Sequence, residues 1–318
     1  MYKIFKFNYM EKEIQHRTAR YKALFIFFFL FWFLCAHSYG QGKSEIKRDT
    51  TKGVDFFVNA GMYVGNKKNA NYYRGDLWGA ESEYAQPDIK YILNYWHYKE
   101  EILRLIEENN RGIGENSFRI NNCSNMRYDL NFSFGLGVKY RFNKHLSIGV
   151  ALTQARMTAN GFAYLGIKIY QTNSSDELRY PLIGKERRTA FELNATYLFG
   201  TKKYVCPFLE AGMYVNSTKV ISADIVVENV PFSLFNYGTN HDFTYNQTEI
   251  SRKRGGVGYG FSAAIGLRIS FNKWAAIEPV AQFRLEKIQL AGYNSIAPNY
   301  NFMIRLVLGD KVFAKTGK

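Results

Sequence analysis

No stretch of this sequence is long and apolar enough to cross a bilayer as a helix. The run from Ala23 to Ala36 comes nearest, with 14 residues. That is about 21 Å of helix against roughly 30 Å of hydrocarbon. A mean hydropathy of −0.29 likewise excludes a bundle of membrane helices. Catalytic signatures are missing too. The sequence has no Gly-x-Ser-x-Gly, no His-Glu-x-x-His and no paired-cysteine motif, so neither an enzyme nor a cofactor is expected. No nucleic-acid-binding motif accompanies the basic charge, so nucleic acid is not expected as a partner. Acidic residues are the scarcer sign, 27 against 42 Lys and Arg, for a net charge of +15.

Aromatic residues, by contrast, are abundant. They make up 17% of the chain, with 24 Tyr and 26 Phe, beside 26 Gly. A membrane β-barrel produces this mixture naturally, because only every second strand residue faces lipid.

The first forty residues read as a signal peptide. Lys3, Lys6, Lys12, Arg17, Arg20 and Lys22 precede the apolar run, and Ser38-Tyr39-Gly40 offers small residues for cleavage after Gly40. Met10 is an alternative start. Cys35 lies in the run, but Trp32 stands where lipidation wants Leu, so a lipid-modified cysteine is not expected. Residues 1–40 hold six Lys or Arg and two acids, so removing them lowers the charge to about +11. Residues 41–53 read as a short periplasmic tail.

The body of the chain is organised by period two, the signature of a strand between two environments. From Arg127 the sequence alternates through Phe142, turns at Asn143-Lys144-His145, and resumes from Leu146 to Thr153. Similar alternation marks Asp55–Val64, Arg188–Phe199, Val205–Val215, Gly256–Phe271, Ala275–Glu286 and Tyr300–Leu308. This gives eight strands whose connections run long, short, long, short, long, short, medium. Each short turn carries an aromatic beside it. That layout predicts an all-β, transmembrane, antiparallel up-and-down β-barrel, with termini on the periplasmic side. The barrel is assigned residues 54–313, followed by a tail over 314–318. Whether 216–255 adds strands is left open.

One face of these strands is apolar and carries no charge. The other holds small residues with Asp55, Asp129, Glu192, Glu210, Glu278 and Glu286, against Lys139, Arg141, Arg268, Arg284 and Arg305. A soluble ligand barrel would turn the apolar face inward and could not use the charged set there. Left in water, the apolar face would exceed the roughly few hundred Å² that a soluble monomer tolerates. The charged set is therefore assigned to the lumen. Tyr128, Phe132, Phe134, Tyr140, Phe142, Phe199, Phe271 and Trp274 are assigned to lipid and its aromatic girdle. Eight strands leave space only for side chains, so an open pore is not expected. A small-solute channel is the alternative.

The pieces Phe134-Gly-Leu-Gly-Val-Lys-Tyr-Arg-Phe-Asn-Lys-His-Leu-Ser, Pro207-Phe-Leu-Glu-Ala-Gly and Gly258-Tyr-Gly-Phe-Ser-Ala-Ala-Ile-Gly-Leu resemble outer-membrane β-barrel proteins of Bacteroidota, including PorT-like members. The resemblance implies an outer-membrane location and a structural, binding or secretion-linked role. It carries over no catalytic residue. Such barrels usually end on an aromatic residue, whereas Phe313 is followed by Ala-Lys-Thr-Gly-Lys.

The long first outer loop, residues 65–126, contains a helical pattern over 88–109. Ile89, Ile92, Leu93, Trp96, Leu103 and Ile106 recur at spacings of three and four, behind Pro87. Tyr91, Trp96, Leu103 and Ile106 are the candidate contacts for a protein partner, beside outer-membrane lipid and lipopolysaccharide. The alternative is a helix that only packs over the barrel mouth. A monomer is expected. His97 with Glu100 and Glu101 makes half a metal site at best, and His145 and His241 stand beside Lys144 and Asp242 without further ligands. Cys123 and Cys206 fall near opposite ends of the barrel, too far apart for a disulfide.

Overall fold

The computed structural model describes residues 52–75, 89–94, 96–108, 113–169, 175–199, 204–234, 255–271, 275–290 and 293–309. Its strands are β1 (Gly53–Val64), β2 (Ile113–Cys123), β3 (Arg127–Tyr128), β4 (Asn131–Arg141), β5 (Leu146–Ile169), β6 (Ser175–Leu198), β7 (Val205–Val227), β8 (Val230–Ser233), β9 (Gly255–Ser270), β10 (Ala275–Leu290) and β11 (Tyr293–Gly309). Eight of them close a ring in the order β1-β4-β5-β6-β7-β9-β10-β11, and every neighbouring pair is antiparallel. Closure comes from β1 against β11, in register from Asp55↔Gly309 to Val64↔Tyr300. The remaining three strands sit at the long-loop end: β2 and β3 pair with β5, and β8 pairs with β7.

Alternation fixes the two faces. Along β4, Asn131, Ser133, Gly135, Gly137 and Lys139 are buried, while Phe132, Phe134, Leu136 and Tyr140 are exposed. Phe132 is 62% exposed and Leu136 61%. The same holds around the ring, with Val58, Phe191, Met213, Phe261, Ile265, Ile304 and their neighbours turned outward. This belt is the lipid-facing surface of a transmembrane barrel. Inward glycines make room for inward aromatics: a methyl group at Gly137 would overlap the Phe57 ring, and one at Gly266 the Phe208 ring.

Several strands run far past their expected ends. β5 and β6 each have 24 residues, about 80 Å of strand, where roughly 9–11 residues cross a bilayer. Residues 154–187, read as a connection from the sequence, therefore belong largely to a long hairpin. β7 likewise continues to Val227 and turns back through Glu228 and Asn229, both at positive φ, into β8. These extensions escape a search for lipid-facing strands because the chemistry of the two faces exchanges. In β5 the inward residues Ser147, Gly149 and Thr153 give way to Met157, Ala159, Ala163, Leu165 and Ile167, all buried. The outward residues change from Leu146, Ile148, Val150 and Leu152 to Gln154, Arg156, Thr158 and Asn160. The geometry stays the same while the solvent outside changes.

The apolar interior of the outer half is closed by the insertion between β1 and β2. A short helix, Lys67–Ala70, is capped by the Asn66 side chain, which accepts from the Lys68 amide. It continues as a 3₁₀ turn, Asn71–Arg74, which buries Tyr72 and Tyr73. Two further helices, Ile89–Leu93 and Trp96–Glu108, replace the single helix expected over 88–109. The first ends at Asn94, whose side-chain amide bonds back to the Lys90 carbonyl and competes with the helical ladder. Ile89, Ile92, Leu93, Ile102 and Ile106 join Leu165, Leu182, Ile225 and Val227 in one buried cluster. Tyr98 anchors the long helix by donating to the Ser233 carbonyl (2.9 Å) and meeting Phe232 edge to face.

Candidate functional site

The lumen is the part of the molecule where chemistry-bearing side chains converge. It holds three charged layers along the barrel axis. The first, toward the short turns, is centred on Glu210. Arg305 grips it in bidentate fashion at 3.0 and 3.1 Å, and Lys139 Nζ lies 2.8 Å from its Oε2. Thr196 and Asn194 donate to the same carboxylate. Glu278 takes Arg305 at 3.3 Å, Arg268 at 3.4 Å and Lys139 at 3.8 Å. Asp55 takes Arg141 and Arg268. Phe57 and Phe208 present their ring faces to Lys139, and Phe57 also to Arg305.

Glu192 forms the middle layer. It accepts from Ser262, Gln282 and Arg284, the last at 2.8 Å. In the third layer Arg188 lies between Glu186 and Glu286. The Tyr63 hydroxyl donates to Glu286 and those of Tyr128 and Tyr73 to Glu186, while Asn216 and Asn299 donate to Glu286. Tyr73 comes from the insertion, so this layer ties the outer cap to the barrel wall. Burial and the nearby Glu186 hold the Tyr73 hydroxyl well above its ordinary pKa.

The charges balance. Asp55, Glu186, Glu192, Glu210, Glu278 and Glu286 face Lys139, Arg141, Arg188, Arg268, Arg284 and Arg305, six of each sign. Lys139 and Arg305 are each 2% exposed. A continuous aqueous channel would wet them, so side chains fill the lumen at these layers.

Two assignments made from alternation alone are corrected here. Tyr128 does not face lipid. It is buried in the lumen, bonded to Glu186 and Arg188. Asp129 is not part of the lumen network. It is half-buried on the outer side and accepts from Asn160. The cause is a bulge: Tyr128 pairs with Ala159 and Ser133 with Ala155, so five steps on one strand meet four on the other. One extra residue reverses the facing of everything before it.

Phe132, Phe134, Tyr140, Phe142, Phe199 and Phe271 lie exposed on the belt. Tyr140–Phe142 and Tyr197–Phe199 meet edge to face near the short turns. Trp274 lies outside the described residues.

Among the proposed partner contacts, Tyr91 is 63% exposed. Ile106 is fully buried in the cap and presents no surface to a partner, while Leu103 is half-buried against that core. The side chain of Trp96 lies outside the described residues. The residues missed from the sequence are Glu186, Arg188 and the tyrosines 63 and 73. A strand start placed at Arg188 had cut Glu186 off from its face. A glycine at 184, where a methyl group would overlap the Tyr73 ring, was the available signal.

His145 sits at a short turn, with Nδ1 2.9 Å from the Leu198 carbonyl and its ring over Tyr197. The side chains of His97 and His241 lie outside the described residues. Among the described residues no group of three His, Cys, Asp or Glu is placed to hold a metal. Cys123 belongs to the outer cluster and Cys206 to the one near the short turns, and no disulfide joins them.

These features define an integral β-barrel of eight strands, apolar outside and ionic within. No protein-family model matches the chain, and no curated protein matches its sequence. The solved structures similar in fold include the following three. One is Neisserial surface protein A, 10% identical, covering 81% of this chain and 98% of that one at a TM-score of 0.38. Another is Ail of Yersinia pestis, in complex with the heparin analogue sucrose octasulfate: 8% identical, 81% and 97% covered, TM-score 0.31. OprG of Pseudomonas aeruginosa is 12% identical, with 82% and 95% covered and a TM-score of 0.32.

Proposed function

We propose that this chain is a non-enzymatic barrel of a Gram-negative outer membrane, exported by its N-terminal signal, which works through its outer half rather than through a pore. The observation that carries this reading is the exchange of face chemistry along β5. Residues 146–152 turn Leu146, Ile148, Val150 and Leu152 outward, as lipid requires, whereas residues 154–160 turn Gln154, Arg156, Thr158 and Asn160 outward and Met157 and Ala159 inward, as water requires. One continuous strand thus crosses from membrane to aqueous exterior. A structural, partner-binding or secretion-linked role of the PorT-like kind fits a filled lumen topped by a helical cap, with the exposed Tyr91 offered to a partner.

Fractionation and electrophoresis test this reading. The mature protein should partition with outer membranes, require detergent, and migrate faster unheated than boiled. Planar bilayers test the channel alternative. Steady conductance larger than a closed eight-stranded barrel allows would overturn the filled-lumen reading. Recovery in the soluble periplasmic fraction would overturn the membrane reading.

A further inference from the structure

Three outward rows cross β5, β6 and β7 in strict register at the upper edge of the apolar belt. Leu152 pairs with Phe191 and Phe191 with Val215, the last apolar row. Two residues further out, Gln154 pairs with Thr189 and Thr189 with Ser217. Two further still, Arg156 pairs with Arg187 and Arg187 with Lys219. Arg156 and Lys219 are exposed and Arg187 is half-exposed.

Three cations side by side repel one another, and like charges directly opposite across strands destabilise a sheet. Among the described residues, none of the three has a hydrogen bond or ion pair, although the lumen below places an acid against every base. Lys185, exposed one step out on β6, adds to the positive field. Such a row is maintained without cost where an anion from outside the chain lies across it.

We infer that the three rows together bind a phosphorylated glycolipid of the outer leaflet. The inference rests on the outer-membrane reading above and names a ligand for that surface. The basic row lies four residues beyond the last apolar row. That is about 13 Å along a strand and about 10 Å along the membrane normal at the usual tilt, the depth of the headgroups. Acyl chains lie on Leu152, Phe191 and Val215. Sugar hydroxyls meet Gln154, Thr189 and Ser217. Phosphates meet Arg156, Arg187 and Lys219, with the fork of each arginine suited to bidentate contact. The continuity of apolar, hydroxyl or amide, and cationic rows selects an amphiphile over a soluble polyanion, which would use only the third.

The test is native mass spectrometry of the full mature protein in detergent micelles, titrated with bisphosphorylated lipid A. A triple variant, R156Q/R187Q/K219Q, removes the row, and K144Q at a short turn on the opposite end is the control. Each basic residue near an anionic surface is worth about fivefold in affinity, so the triple variant should bind on the order of 100-fold more weakly and K144Q as wild type. Dephosphorylated lipid A should lose a comparable factor. Equal binding by wild type and triple variant, or by phosphorylated and dephosphorylated lipid, overturns the inference. So does displacement of the lipid by millimolar inorganic pyrophosphate, which would assign the row to soluble anions. Failure of the wild type to insert and show heat-modifiable migration would instead sink the outer-membrane reading. Because all three side chains point out of the barrel, heat-modifiable migration of the variant checks that it has folded.

Discussion

Glu210 is the residue whose loss the barrel should tolerate least. Its layer contains three acids, Asp55, Glu210 and Glu278, and four bases, Lys139, Arg141, Arg268 and Arg305. In Glu210→Gln, four cations face two carboxylates. Lys139 and Arg305 then share Glu278, which already takes Arg268. Breaking a buried pair from one side costs about 3–5 kcal/mol, because the stranded charge stays desolvated.

Arg305→Met behaves differently. It leaves three cations for three carboxylates, and Glu210 keeps Lys139, Thr196 and Asn194. The expected cost is that of lost acceptor partners, about 1–3 kcal/mol. The double variant removes one charge of each sign and should lie near Arg305→Met alone. Urea titration in detergent, read by the heat-modifiable shift and by near-UV circular dichroism, gives all three values. A Glu210→Gln loss no larger than that of Arg305→Met would refute the charge-balance reasoning. Additive losses in the double variant would refute it equally.

Other expectations concern the cap. Gly184→Val would push the Tyr73 ring out of the wall, so the outer half should gain protease sensitivity while the β1–β11 closure survives; an unchanged digestion pattern would contradict the role given to Tyr73. Ile106→Asp buries an unpaired charge under the long helix and should release that helix, seen as fast hydrogen exchange over 96–108 with slow exchange retained in β9 and β10. Tyr73 has its folded-state pKa raised by burial and Glu186, so its stabilising contribution is complete below the unfolded value near 10 and declines as pH rises beyond it. Ultraviolet titration should show one tyrosine fewer ionising late in Tyr73→Phe, and an identical curve would argue against the buried assignment. A non-reducing peptide map that found Cys123 linked to Cys206 would overturn the topology.

The barrel was legible from alternation because only one arrangement satisfies a long uncharged face and a face of glycines and balanced charge. Phe132, Phe134 and Leu136 report lipid, and Glu192, Glu210 and Arg305 report a dry ionic interior, from their alternation alone. The outer half was less legible for the same reason. From Gln154 through Asn160 the strand β5 keeps its alternation but reverses its meaning, so the polar outward residues read as loop. The helical insertion announced itself by spacing, yet which of its residues face a partner depended on where the cap docks, and docking buried Ile106.

Sequence alone determined the strand periodicity, the facing of the lipid belt and the signs of the lumen charges, since each follows from neighbours two residues apart. Tertiary structure decided the pairings. It placed one extra residue at Asp129–Leu130, which moved Tyr128 into the core. It brought Tyr73 across the barrel to Glu186, and it lined Arg156, Arg187 and Lys219 into a single row. Those outcomes depend on register between distant strands, which the packing of the closed ring sets and no local pattern encodes.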